Sequence, residues 1–338
     1  MPVAKKVKSV MRSYLLAVLT GLVFLLAGGL THADDDWPEG IIAVGAGANE
    51  RAITFTNKGQ IFSSRDGKTW SAAQRATLKR LRAGAWLKDP NDNDATKLRV
   101  VIVGDSDTIL RSEDAESFDV VPREKLDIGG NLVGVAWTGK QVIVVSDFRD
   151  IVTSDDYGLT WKKQTVPGKS DLTGIVWTGT QAVIVGQDGL ILTSPDGQDW
   201  TTQYSGTDER LNAVAWSGTT IFVGSRCGRV LSSKDGIKWE RMMMSSSSLL
   251  ITGIVSDTLG NPVVVGKSND QHHVLQRTAS GGWKELSFRF PTKVNGLAMV
   301  FGELYGAGYV VGSNVTNRSR IFKIGDHGSW DVFGPVIL

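Results

Sequence analysis

The side chains with the clearest binding chemistry are arginines and aspartates in the short segments that separate apolar, strand-like runs. A guanidinium group presents forked N–H donors that match a carboxylate or a sulfate, so recurring arginines predict a surface for acidic ligands. The candidate ligand- or partner-binding residues are Arg149, Arg226, Arg229, Arg210, Arg123, Asp147, Asp188 and His272. The expected ligand is an acidic protein segment or a glycan.

No set of residues in the sequence has the spacing of a catalytic or metal site. There is no glycine-rich loop of the kind that holds phosphates, and there is no nucleophile elbow. Of the 4 histidines, only His272 and His273 are neighbours, and adjacent residues on a strand point to opposite faces. The sequence therefore predicts no catalytic residues, no metal and no cofactor, and it favours a binding protein over an enzyme.

A repeated unit must position these candidates, and its most regular part is the octet Ser154–Trp161, which reads S-x-D-x-G-x-T-W. An Asp followed by a Gly predicts a tight turn, because the carboxylate accepts hydrogen bonds from backbone N–H groups and Gly tolerates positive φ. The predicted structural residues of the clearest copies are Ser64, Asp66 and Trp70; Ser154, Asp156, Gly158 and Trp161; Ser194, Asp196 and Trp200; and Ser233, Asp235 and Trp239. Degenerate copies begin at Ser112, Thr278 and Gly325.

The copies recur about every 39 to 48 residues, which is the spacing of propeller blades. Each unit also carries short β-branched runs, bounded by Gly or Asp, that predict four strands. All but one of the 11 tryptophans occupy one of two repeated positions, which predicts packing between units rather than a cofactor cage. The predicted fold is all-β: a seven-bladed β-propeller of four-stranded blades.

The octet resembles the Asp-box (BNR) repeat, and the whole unit resembles exported bacterial Asp-box propellers, both those similar to photosystem II assembly factors and sialidase-like ones. In such propellers the Asp-box turns lie on one face. Ligands bind on the opposite face, which carries the turns between second and third strands and the connections between blades. The resemblance implies that the candidate residues share that opposite face and that its arginines hold a partner.

The sialidase-like members of this family would add a catalytic set. A sialidase needs converging arginines and a Tyr nucleophile that a Glu activates. Tyr204, Glu209 and Arg210 are the one such cluster, within a single loop, and the string that resembles the family's first arginine motif, Phe288–Pro291, lies near the C-terminus. A glycan-binding protein or a sialidase-like glycoside hydrolase is therefore the alternative function.

The first 33 residues have the pattern of a secretory signal peptide, with basic residues before an apolar run and Thr31-His32-Ala33 as a cleavage site. We predict cleavage after Ala33, a single propeller domain over 34–338, a periplasmic or secreted protein and no stable membrane span after processing. A retained membrane anchor is the alternative.

The charge balance changes when this segment is removed. Without its four basic residues, 33 of the 37 Lys and Arg remain against 35 Asp and Glu, which predicts no nucleic-acid partner. The single cysteine, Cys227, excludes an intrachain disulfide. The predicted function is a non-catalytic binding or assembly factor for an envelope protein or complex.

Overall fold

The β-branched runs of each repeat form antiparallel strands in the computed structural model. This structure describes residues 38–45, 49–71, 74–88, 94, 97–122, 124, 126, 128–242, 249–269, 271–286, 292–312, 315–324 and 330–333. Within these ranges the strands form seven four-stranded sheets, numbered 1 to 7 along the chain. The predicted signal segment, Arg123, Phe288–Pro291 and residues 325–329 of the last turn copy lie outside the described residues.

Each sheet is a meander whose strands follow chain order. The first strands are β1 Pro38–Val44, β5 Leu81–Trp86, β9 Leu132–Trp137, β13 Leu172–Trp177, β17 Leu211–Trp216, β21 Leu250–Ser256 and β25 Thr292–Val300. The second strands are β2 Arg51–Thr56, β6 Val100–Gly104, β10 Val142–Ser146, β14 Ala182–Gly186, β18 Ile221–Ser225, β22 Pro262–Ser268 and β26 Glu303–Gly312.

The outer half of each sheet contains the remaining two strands. The third strands are β3 Gln60–Ser64, β7 Thr108–Ser112, β11 Ile151–Ser154, β15 Ile191–Ser194, β19 Val230–Ser233, β23 Gln271–Arg277 and β27 Val315–Ile324. The fourth strands are β4 Gln74–Arg75, β8 Asp119–Val120, β12 Lys162–Gln164, β16 Thr201–Gln203, β20 Glu240–Met242, β24 Trp283–Glu285 and β28 Trp330–Phe333.

The first strands stand side by side around a common axis. Each one contacts the first strand of the next sheet, and β25 contacts β1. All 28 strands belong to one compact unit, Asp36–Ile337, while the other unit, Met1–Asp35 with Leu338, lies outside the described residues. The prediction of an all-β propeller with four-stranded blades is confirmed.

The core lies between neighbouring sheets. The second strands are the most buried, because both of their faces pack against other sheets, and this is why runs such as Val142–Val145 are continuously apolar. Tryptophans at the two repeated positions pack in these layers: Trp137 and Trp161 of sheet 3 contact the cluster shared with sheet 2. A further cluster, which includes Ile41 and Ile321, joins sheet 7 to sheet 1.

A β-bulge recurs near the start of each first strand, where one extra residue interrupts the pairing with the second strand. The bulge residues are Glu39, Arg82, Val133, Thr173, Asn212, Thr252 and Asn295. The residue after each bulge is Gly or Ala, because the first strands converge on the axis there. A Cβ atom on Gly134 would lie 3.0 Å from Ile175 Cγ2, which is tighter than ordinary contact.

Crowding at this position gives a test with a matched control. Gly134→Ala should lower the free energy of unfolding by about 1 to 3 kcal/mol, because the added methyl group overpacks Ile175. Gly174 has the same place in the next sheet, but its Cβ would lie 3.6 Å from Val214 Cγ1. Gly174→Ala should therefore leave stability unchanged or raise it by up to about 1 kcal/mol. Urea unfolding followed by tryptophan fluorescence measures both, and equal losses would contradict this packing.

Candidate partner-binding face

The two ends of each sheet carry different kinds of turn. One end, the 2–3 face, carries the turns between second and third strands and the connections from one sheet to the next. The other end, the 3–4 face, carries the turns between third and fourth strands. Side chains tie the 2–3 face together around the axis: Thr173 Oγ1 donates to the Leu211 carbonyl, and Asn212 Nδ2 donates to the Ile251 carbonyl at 2.8 Å.

A repeated residue pair marks this face in sheets 2 to 5. The residue after the second strand donates its backbone N–H to the carbonyl of the residue before the buried Leu of the first strand, at 2.8–2.9 Å. The backbone bond fixes two side chains as neighbours in every case. The pairs are Arg80 with Asp105, Asn131 with Asp147, Asp171 with Gln187, and Arg210 with Arg226.

The first three pairs contain a carboxylate, whereas the pair in sheet 5 contains two cations. Asn131 donates from its amide to Asp147 Oδ2 at 2.8 Å, and Gln187 does the same to Asp171 Oδ2. In sheet 5, Arg210 Nε donates to Asn212 Oδ1 at 3.0 Å. The Arg226 guanidinium is exposed and makes no ion pair with any other part of the chain that the structure describes. Two exposed arginines therefore occupy directly neighbouring backbone positions.

Arg229 lies in the same turn but is occupied by the protein itself. Its Nη1 is 2.5 Å from Glu209 Oε1 and donates to Thr207 Oγ1 at 3.0 Å. Glu209 also accepts from Ser225 Oγ at 2.6 Å. The structure thus separates the predicted arginines of sheet 5 into an open pair, Arg210–Arg226, and a structural residue, Arg229.

His272, the candidate on sheet 6, lies near two lysines at the junction of sheets 6 and 7. Burial lowers the pKa of His272, and the charges of Lys293 and Lys267 lower it further, which outweighs the hydrogen bond with Val294. The imidazole is therefore neutral at pH 7. His272 is the second residue of β23, directly after the turn between second and third strands; it is half-buried and has its Nδ1 3.0 Å from the Val294 carbonyl oxygen. It links sheet 6 to sheet 7.

The remaining candidates lie on sheets 3 and 4, away from the Arg210–Arg226 pair. Asp147 is engaged with Asn131, and Asp188 accepts from Ser170 Oγ at 2.9 Å. Arg149 has a left-handed backbone, with a φ of 65°, at the turn position where sheets 4 and 5 have Gly189 and Gly228. A non-glycine residue at positive φ is strained, so this exposed arginine is kept at a cost to stability.

The cluster that would support a sialidase does not converge. The Glu209 carboxylate bonds Arg229 and Ser225, and Arg210 bonds Asn212, while Tyr204 is 85% exposed. Within the described residues, no three His, Cys, Asp or Glu side chains come together as a possible metal site. No helix in that part of the chain is long and apolar enough to cross a membrane.

Sequence reasoning missed the ring of bulge residues. It surrounds the mouth of a central cavity of about 340 Å³ whose lining comes from all seven first strands. The signal was present as a recurring triplet, a buried Leu, Ile or Val followed by a variable residue and then Gly or Ala, as in Leu172-Thr173-Gly174. Alternation of apolar residues alone does not identify a bulge, because the extra residue is visible only against its partner strand.

The 3–4 face contains the Asp-centred turns, which we call aspartate turns. In sheet 3, Ser154 Oγ accepts from the Gly158 N–H at 2.8 Å and donates to Asp156 Oδ1. The same carboxylate accepts from the N–H groups of Leu159 and Thr160. Sheets 1, 2, 4 and 5 repeat this pattern around Asp66, Asp114, Asp196 and Asp235. The Ser and Asp side chains of the 3–4 face therefore serve to stabilise its turns.

Comparison with known proteins finds similarity in fold, through solved structures. No protein-family model matches it, and no curated protein does either. Among solved structures, YCF48 bound to a D1 peptide is 14% identical, with 76% of this chain and 82% of that chain covered and a TM-score of 0.59. YCF48 from Cyanidioschyzon merolae is 13% identical, with 81% and 94% covered and a TM-score of 0.61.

An enzyme is equally similar in fold. Virginiamycin B lyase from Staphylococcus aureus is 9% identical, with 81% of this chain and 95% of that chain covered and a TM-score of 0.67. At these identities the likeness defines the class of protein, an all-β propeller, and nothing finer. Function must be argued from the site, since one fold serves many functions.

The aspartate turns predict a specific loss of stability in acid. Burial raises the pKa of Asp114, but hydrogen bonds from Ser117, Glu116 and Ser112 lower it from 3.8 to about 2. Hydrogen bonds likewise lower the pKa of Asp66, Asp156, Asp196 and Asp235. A carboxylate with a lowered folded-state pKa stabilises the fold above its unfolded pKa, and that contribution is lost as the pH falls through the folded value.

The free energy of unfolding should therefore fall between about pH 4 and pH 2. Asp156→Asn keeps an acceptor oxygen but removes one titrating group. The unfolding free energy of this variant should therefore fall less steeply with decreasing pH than that of the wild-type protein. Asp155→Asn, at the adjacent exposed carboxylate that accepts from none of the turn amides, should retain the wild-type slope. Urea unfolding at each pH measures the slopes, and equal slopes for all three proteins would contradict the role of Asp156.

Proposed function

We propose that this protein is an exported, non-catalytic β-propeller whose 2–3 face binds an acidic segment of an envelope protein or complex, as an assembly or accessory factor does. The observation that carries the proposal is the Arg210–Arg226 pair. It occupies the position where sheets 2, 3 and 4 place an aspartate beside an arginine, an asparagine and a glutamine, respectively.

Like charges on directly neighbouring strand residues destabilise a sheet. In sheets 2 to 4 a carboxylate stands at one of the two positions, so no like-charged pair arises there, whereas sheet 5 has no carboxylate at either. A ligand carboxylate would supply the missing negative charge, and two guanidinium groups can bind it by forked, charge-assisted hydrogen bonds. The cost to stability is then recovered when the partner binds.

The surroundings favour an anionic ligand as well. Lys267 and Lys293 lie close enough to His272 to lower its pKa, so sheets 6 and 7 add cations near this end of the fold, and cations attract an anionic partner. A peptide ligand is consistent with the fold neighbour YCF48, which was solved bound to a D1 peptide. The strained Arg149, on sheet 3, fits a second contact with a longer partner segment.

The finer features of the proposal rest on sequence. The aspartate turns are proposed to be Asp-box repeats, and the seven sheets are proposed to act in solution as one closed, seven-bladed ring over 34–338. Cleavage after Ala33 would deliver the protein to the periplasm or the medium, without a stable membrane span. The near balance of charge that remains argues against a nucleic-acid partner.

Site-directed cross-linking tests the binding face, because Cys227 is exposed and follows Arg226 directly. We expect the mature protein, labelled at Cys227 with benzophenone maleimide, to form one dominant protein adduct in its native envelope fraction. Arg210→Glu combined with Arg226→Glu should reduce the yield of that adduct at least about tenfold, since loss of buried charge pairs costs 2 kcal/mol or more. The yield is read by immunoblot.

The matched control reverses two charges on the other face. Lys234→Glu with Lys238→Glu changes the net charge equally, and both side chains are exposed beside an aspartate turn. This control should leave the adduct unchanged. Equal loss in both double variants would show that only net charge matters, and retention of the adduct in the arginine variant would overturn the proposed site.

A further inference from the structure

A second patch with the opposite charge borders the arginine pair. The patch consists of Tyr204, Asp188 and Asp208, which line a cavity of about 410 Å³ between the 2–3 turn of sheet 4 and the connection to sheet 5. Tyr204 is 85% exposed, the highest value among the large apolar and aromatic side chains of the described residues. We call it the Tyr204 patch.

The connection that carries Tyr204 is held rigidly against sheet 4. Gly189 donates its N–H to the Glu209 carbonyl at 2.9 Å, and Ser205 Oγ donates to the Thr207 carbonyl at 3.0 Å. Arg229 bonds the Thr207 hydroxyl from the other side. An exposed aromatic side chain on a preorganised loop loses little conformational entropy when a partner covers it, and Tyr is enriched among the residues that dominate binding energy.

The carboxylates of the 2–3 face differ in their partners. Four have cationic partners, namely Glu39 with Arg80, Asp105 with Arg82, Asp150 with Lys163, and Glu209 with Arg229. Asp147 and Asp171 accept from the neutral amides of Asn131 and Gln187. Asp188 has only the neutral Ser170 hydroxyl, and Asp208 has no Arg or Lys partner in the described ranges. Negative charge and an aromatic ring face one cavity together, and this combination suits a cation.

We propose that the Tyr204 patch binds a lysine or arginine side chain of the same partner segment whose carboxylates bind Arg210 and Arg226. This inference rests on the proposed function and specifies its partner. The ammonium or guanidinium group bonds Asp188 and Asp208, while its aliphatic stem and charge lie against the Tyr204 ring.

The chain fixes the spacing of the two subsites. Asp208 and Arg210 are two residues apart, so their Cα atoms are separated by at most about 7 Å. An extended partner spans that distance in about two residues. The partner segment therefore carries a basic residue within about two or three positions of its acidic residues.

Fluorescence anisotropy with labelled peptides tests this at low salt, with the mature protein in excess. The probes are Lys-Ala-Glu-Glu and Glu-Glu-Ala-Lys, each compared with the same peptide carrying Gln in place of Lys. If the arginine pair alone attracted the probe, the lysine would weaken binding, because it removes negative charge. With a cation subsite, at least one lysine peptide should bind about three- to tenfold more tightly than its Gln counterpart.

Variants of the protein test whether the tighter binding of the lysine peptides depends on the Tyr204 patch. Asp188→Asn with Asp208→Asn should abolish the lysine gain and leave the Gln peptides bound as before or more tightly; Tyr204→Ala should reduce the gain, and Tyr204→Phe should keep it. The control Asp155→Asn with Asp199→Asn removes equal charge from the 3–4 face and should preserve the gain.

The outcomes separate this inference from the function on which it rests. If the Gln peptides bind through Arg210 and Arg226 but lysine gives no gain, or if the gain survives in Asp188→Asn with Asp208→Asn, the cation subsite is overturned and the anion site stands. If none of the peptides binds, or if binding is unaffected by the Arg210→Glu and Arg226→Glu changes, both are overturned.

Discussion

The structure depends on how the first strands of its sheets converge on the axis. Convergence leaves room for only Gly or Ala after each bulge, and the extra bulge residue lets the chain turn toward the 2–3 face without losing its pairing with the second strand. The backbone hydrogen bond beside the bulge, from the residue after the second strand, then holds two side chains next to each other in sheets 2 to 5. The proposed binding face is a consequence of that constraint, because each of these four sheets presents one pair of variable side chains beside its bulge.

Turn chemistry made much of the fold predictable. The Ser and Asp of each aspartate turn satisfy several backbone N–H groups at once, so their spacing identifies the boundary between third and fourth strands. Even the degenerate copy at Ser112 keeps the pattern, with Asp114 accepting from the Glu116 and Ser117 N–H groups. Continuous apolar runs identify the second strands for the same kind of reason, since burial on both faces favours apolar side chains.

The site was less predictable, because the charge of a loop residue does not show which side chains lie beside it in the fold. Arg226 and Arg229 are three residues apart and look alike in sequence, yet Arg229 is bound to Glu209 and Arg226 is exposed. His272 follows a predicted turn but lies within β23, where the hairpin of sheet 6 is longer than those of sheets 1 to 5. Arg210 and Arg226 lie one residue beyond the paired ends of β17 and β18, so only the hydrogen bond from the Arg226 N–H to the Arg210 carbonyl reveals that they are neighbours.

One like-charged pair links the stability of the fold to the proposed binding. On the 2–3 face, most charges compensate one another within the protein, whereas the Arg210–Arg226 pair and the Tyr204 patch leave charges of opposite sign open at neighbouring positions. A face of this kind favours a partner with a defined order of charges over a merely acidic one, because a wrong order brings like charges together.

The most direct test measures stability and binding on the same variant, Arg226→Asp, which gives sheet 5 an Arg and an Asp at the two positions where sheet 2 has Arg80 and Asp105. We predict that its free energy of unfolding rises by about 0.2 to 1 kcal/mol, while the Cys227 cross-link to the native partner disappears. A variant that is more stable and no longer binds cannot be explained by misfolding. Unchanged or lower stability together with intact cross-linking would contradict the claim that the arginine pair is kept for a ligand.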